Sequence, residues 1–91
     1  MLRTVSITVS GKVQGVFFRQ STKDVATTLG ITGQVMNVPD GNVHLIATGT
    51  KEHLDKLISW CRQGPPKAIV TDIEVQDIPL QPFDKFSIQR F

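Results

Sequence analysis

In RTVSITVS, residues 3–10, Val5, Ile7 and Val9 alternate with Thr4, Ser6, Thr8 and Ser10. A period of two sends successive side chains to opposite faces of an extended chain, so this segment reads as a strand buried on one side and wet on the other. That constrains the fold more than any other feature, because strands of a sheet covered on both faces read as unbroken apolar runs. A mainly antiparallel sheet covered on one side is expected.

Past Gly11 and Gly15 the period changes. Phe18, Thr22, Val25, Ala26 and Leu29 fall at helical intervals, which predicts a helix from about Gln20 to Leu29, ended by Gly30 and with Ile31 packing back on its last turn. GQVMNV and NVHLIATG then read as a hairpin joined through Pro39, Asp40 and Gly41. Thr50 suits the cap of a second helix, with Glu52 at the positive end of its dipole and Leu54, Leu57, Ile58 and Cys61 as its apolar stripe. Gly64, Pro65 and Pro66 close that helix. AIVTDIEVQDI is rich in β-branched residues, and FSIQR puts Phe86 and Ile88 on one face of a short last strand. The order β-α-β-β-α-β, followed by a short strand, predicts an α+β, ferredoxin-like sandwich with two helices on one face of the sheet.

Ninety-one residues fit one domain spanning 1–91 that buries its own core. No apolar run is long enough to span a membrane, the N-terminus alternates where a signal peptide is solidly apolar, and Cys61 is the single cysteine. A cytoplasmic protein without membrane partners is expected. Although the net charge is +2, the ten basic residues are scattered, which argues against a nucleic-acid surface.

Several chemistries lack their residues. There is no G-x-x-x-x-G-K-S/T nucleotide loop. His44 and His53 lie on different elements without cysteine partners in metal-ligand spacing, so both read as surface histidines and no metal is expected. Cys61 sits in the middle of an apolar helical stripe and reads as core.

GVFFR, residues 15–19, precedes the first helix, where backbone N–H groups lack helical partners and the dipole attracts anions. Gly15 would let the chain turn closely around an anion. Phe17 or Phe18 would anchor the loop, and Arg19 would grip phosphate with two-pronged, charge-assisted hydrogen bonds. The same run also reads as an ordinary strand-to-helix connection with Arg19 on the surface. Asn37 has the parity of Val35 and so turns toward the core side, where an amide needs a partner; it reads equally as a turn-entry asparagine.

Together GKVQGVFFR, GQVMNVPDG and FSIQR resemble the common-type acylphosphatases over essentially the whole chain. The first stretch fits that family's G-x-V-Q-G-V-x-F/Y-R signature at every fixed position. The resemblance implies a ferredoxin-like domain that hydrolyses the carboxyl-phosphate bond of small acyl phosphates. It assigns phosphate binding to Arg19 and to the backbone amides of Gly15, Val16, Phe17, Phe18 and Arg19, and orientation of the attacking water to Asn37. No metal and no cofactor are implied, and a monomer is expected. The chain departs from the family's usual pattern at Gln34, Met36 and His44, which bear on substrate preference and turnover more than on reaction class.

Two rivals come from other classes. An RNA-binding module on the same layout needs paired aromatics on its middle strand, and NVHLIATG has none. A non-catalytic anion-binding domain would keep Arg19 but has no need of Asn37.

Overall fold

A computed structural model describes residues 1–90. The elements are β1 (Arg3–Lys12), α1 (Phe18–Thr28), β2 (Thr32–Asn37), β3 (Val43–Gly49), α2 (Lys51–Gln63), β4 (Ile69–Ile78) and β5 (Phe86–Gln89). The strands form one five-stranded sheet in the order β4-β1-β3-β2-β5. Every neighbouring pair is antiparallel except β2 and β5, which run parallel. This is the ferredoxin-like α+β arrangement, with β5 added at one edge.

The alternation of β1 has the predicted effect. Val5, Ile7 and Val9 stand opposite Ala47, Leu45 and Val43 of β3, and all six are buried. From above them α1 lowers Phe18, Thr22 and Ala26, and α2 lowers Leu54, Leu57 and Cys61, so both helices share one core on one face. Each fully buried Val, Leu, Ile or Phe contributes roughly 1.5–3 kcal/mol. At Gly33, in β2, an added Cβ would run into the Ile46 carbonyl of β3, so only glycine lets the strands pair there.

The other sheet face carries polar side chains, and one end of it is covered. Thr4 and Thr48 bond to each other through their hydroxyls at 2.7 Å. Thr4 Oγ1 also accepts from the Gln81 backbone N–H at 2.9 Å, and Thr48 Oγ1 donates to the Gln81 carbonyl at 2.7 Å. This pair thereby clips the β4–β5 connection onto the sheet and satisfies two buried hydroxyls.

The first helix begins two residues before the expected Gln20. Phe17 adopts a left-handed conformation (φ 64°, ψ 25°) and its carbonyl accepts from the Ser21 N–H at 3.0 Å, which winds Phe18 and Arg19 into the first turn. Propensity gives no hint of this, because left-handed backbone costs a non-glycine residue about 1–2 kcal/mol. No helix among the described residues is long and apolar enough to cross a membrane.

Candidate active site

The two helices treat their N-termini differently. At α2 the Thr50 hydroxyl accepts from the His53 N–H at 3.2 Å, Glu52 lies in the first turn and Arg62 in the last, as the helix dipole favours. At α1 no side chain caps the N-terminus and no acidic residue occupies the first turn. Instead Arg19 is there, a cation at the positive end of the dipole. Among the described residues it has no ion-pair partner. A helix start with free N–H groups and an unpaired guanidinium is unfavourable by itself and favourable around an anion.

The preceding loop is shaped to expose those donors. Gly15 has φ 74°, and a Cβ there would meet nothing within 4 Å, so glycine is needed for its conformation and not for want of space. Val16 is buried, and Phe18 is buried against Trp60 with ring centroids 5.4 Å apart. The anchor is therefore Phe18, with Val16 beside it, while Phe17 is 77% exposed.

A cleft of about 400 Å³ opens between this helix start and the ends of β2 and β5. Gly15, Phe17, Phe18 and Arg19 line it from one side, Asn37 from β2, and Ile88 and Arg90 from the end of β5. Among the described residues its lining holds two arginines and no carboxylate, histidine or thiol, so its donors suit an anion. Asn37 stands opposite the buried Val43 and on the same face as Val35, as its parity predicts. Its Oδ1 is buried and has no hydrogen-bond partner among the described residues. Leaving such an acceptor unmet costs about 1–3 kcal/mol, a penalty that a bound donor would remove.

Sequence reasoning missed the residue that joins these parts. The Gln14 side-chain amide donates to the Val38 carbonyl at 2.8 Å and the Asn42 carbonyl at 2.9 Å, tying the loop to the hairpin that carries Asn37. The hairpin is closed by Val38 N–H to Asn42 O at 2.9 Å and Gly41 N–H to Val38 O at 3.0 Å. The glutamine of GKVQG was the available signal. Ile88 and Arg90 were missed as well, since nothing local says that FSIQR lies beside residues 15–19.

The acylphosphatase family model matches residues 5–88. The chain belongs to the acylphosphatase family. It is 43% identical over 90 residues to an acylphosphatase from Methylococcus capsulatus, covering 98% of both chains. Solved structures agree: an acylphosphatase from Coxiella burnetii superposes with a TM-score of 0.94 at 38% identity, covering 97% of this chain and 93% of that one. One from Bacillus subtilis gives a TM-score of 0.94 at 35% identity, covering 99% and 100%. Membership of the acylphosphatase family supports hydrolysis of acyl phosphates as the reaction class.

Within this acylphosphatase fold the three departures from the usual pattern share one location. Gln34 and Met36 have the opposite parity to Asn37, and His44 stands across from Met36, so all three lie on the sheet face turned away from the helices. None lines the cleft. His44 is half-buried there and its Nε2 meets Ser6 Oγ at 2.8 Å. Cys61 is buried, and desolvation pushes its thiol up to about 12 from an ordinary 9.0, which holds it protonated and inert.

Proposed function

We propose that the cleft holds the phosphoryl group of an acyl phosphate on Arg19 and on the backbone amides of Gly15, Val16, Phe17, Phe18 and Arg19, while Asn37 orients the water that attacks phosphorus. The water oxygen forms the new P–O bond opposite the acyl oxygen, the P–O bond to the acyl group breaks, and carboxylate and inorganic phosphate leave. The water's second partner is the substrate itself, whose phosphoryl oxygen takes the proton. The observation that carries this reading is the buried, unpartnered Oδ1 of Asn37 in the same cleft as the uncapped α1 N-terminus and Arg19. A phosphate-binding loop needs the last two features; only a positioned donor such as water needs the first.

So few groups suffice because of the leaving group. A carboxylate leaves with a conjugate acid of pKa about 4, so no general acid is needed at neutral pH. A phosphoryl transition state spreads its charge over the equatorial oxygens, where a guanidinium and fixed amides act by position and electrostatics. The Arg19 guanidinium and the backbone N–H groups hold an anion directly, so this reading needs no metal to bind the phosphoryl group. The test is hydrolysis of benzoyl phosphate with chelator present by wild type, Arg19→Ala and Asn37→Ala. Turnover lost in both variants, with phosphate inhibition kept in Asn37→Ala, is expected. A folded wild type that binds phosphate without turnover would overturn the enzymatic reading.

A further inference from the structure

We infer that the Phe17 ring is the platform for the acyl group, and that the cleft favours acyl phosphates with a flat aromatic or otherwise apolar acyl portion. The inference rests on the acyl phosphate reading above and names the substrate class of that same cleft.

Two observations meet at this residue. Phe17 is the one non-glycine residue with positive φ among those described, whereas six glycines occupy such positions, Gly15 two residues earlier among them. If position 17 served only to bend the loop, glycine would do so without strain. A phenylalanine there brings only its ring as compensation. That ring is not spent on the core, since Phe17 is 77% exposed while the adjacent Phe18 is 2% exposed. A single exposed apolar side chain is ordinary on a protein surface. One on left-handed backbone, at a residue that lines a cleft, is not, and stacking against a ligand is what an aromatic face offers.

Position supports the same assignment. Phe17 lines the cleft and immediately precedes the first turn of α1, so an acyl portion leaving a phosphoryl group held on the helix amides passes within reach of this residue. The competing location is the groove between α1 and β5, which continues the cleft past Gln20 and Arg90 and carries Lys23 and Lys85 beside one carboxylate, Asp84. That groove would suit an acidic acyl portion.

The experiment compares kcat/KM for benzoyl phosphate and acetyl phosphate in wild type, Phe17→Gly, Phe17→Asn and Phe17→Tyr. Gly and Asn accept left-handed backbone without a ring, and Tyr restores the ring. Any effect on the shared phosphate cradle appears with both substrates and cancels in their ratio. The benzoyl-to-acetyl ratio should fall about five- to tenfold in both ringless variants and stay within about twofold of wild type in Phe17→Tyr. A ratio unchanged in Phe17→Gly and Phe17→Asn overturns the platform. Failure of the wild type to hydrolyse either substrate instead sinks the acyl phosphate reading beneath it.

Discussion

The Gln14 side chain donates to the Val38 carbonyl at 2.8 Å and to the Asn42 carbonyl at 2.9 Å, so the loop before α1 and the hairpin after β2 are held together by one amide. The Val38 and Asn42 carbonyls each keep a backbone partner without it. Gln14→Ala should therefore cost only about 1 kcal/mol of stability, measured by urea denaturation. The loss in kcat/KM should be larger, about ten- to a hundredfold, because Arg19 and Asn37 lose their common frame. A loss of activity no greater than the loss of stability would show that the two parts are held in register by something else.

Asn37 should trade stability against function. Replacing it by alanine removes a buried acceptor that has no partner among the described residues, so the melting temperature should stay level or rise, while kcat falls by about a hundredfold or more. Inhibition by inorganic phosphate should persist. A clearly lower melting temperature would mean that the side chain serves the fold.

Arg19 sits at the wrong end of a dipole until an anion arrives. Phosphate should raise the melting temperature of wild type, following the linkage between binding and folding, and should hardly move that of Arg19→Ala. Without phosphate the variant should be no less stable than wild type. Arg19→Lys keeps the charge but loses the planar fork, so restoration of full activity by lysine would contradict two-pronged binding.

The Cys61 thiol makes stability pH-dependent in one direction. Folding raises its pKa from 9.0 to about 12, so the unfolded chain gives up this proton first. The thiol's contribution is whole below pH 9.0 and shrinks as pH climbs toward about 12, by up to roughly 1 kcal/mol per unit. The stability advantage of wild type over Cys61→Ala should thus narrow between neutral pH and about pH 10.5, and a constant gap would count against desolvation of the thiol.

What could be read from the chain was whatever depends on neighbours a few residues apart. The alternation of β1, the Thr50 cap of α2 and the Gly64-Pro65-Pro66 stop are all of this kind, and each appears where expected. Asn37 was placed correctly on the inner face because parity is also local. The start of α1 was misjudged because Phe17 takes a conformation that its side chain disfavours, and no local rule predicts a strained residue. Gln14, Ile88 and Arg90 escaped because their partners are distant in sequence: Gln14 bonds a carbonyl 24 residues away, and β5 reaches the cleft only by pairing with β2.

The parallel pairing of β5 with β2 bears on how the protein is made. One wall of the cleft comes from residues 88–90 and the opposite wall from residues 15–20. Both helices and the four strands β1 to β4 are therefore translated before the second wall exists. A nascent chain halted after β4 carries the first four strands and both helices yet has no closed cleft. The cleft closes only once β5 has been made and has paired with β2.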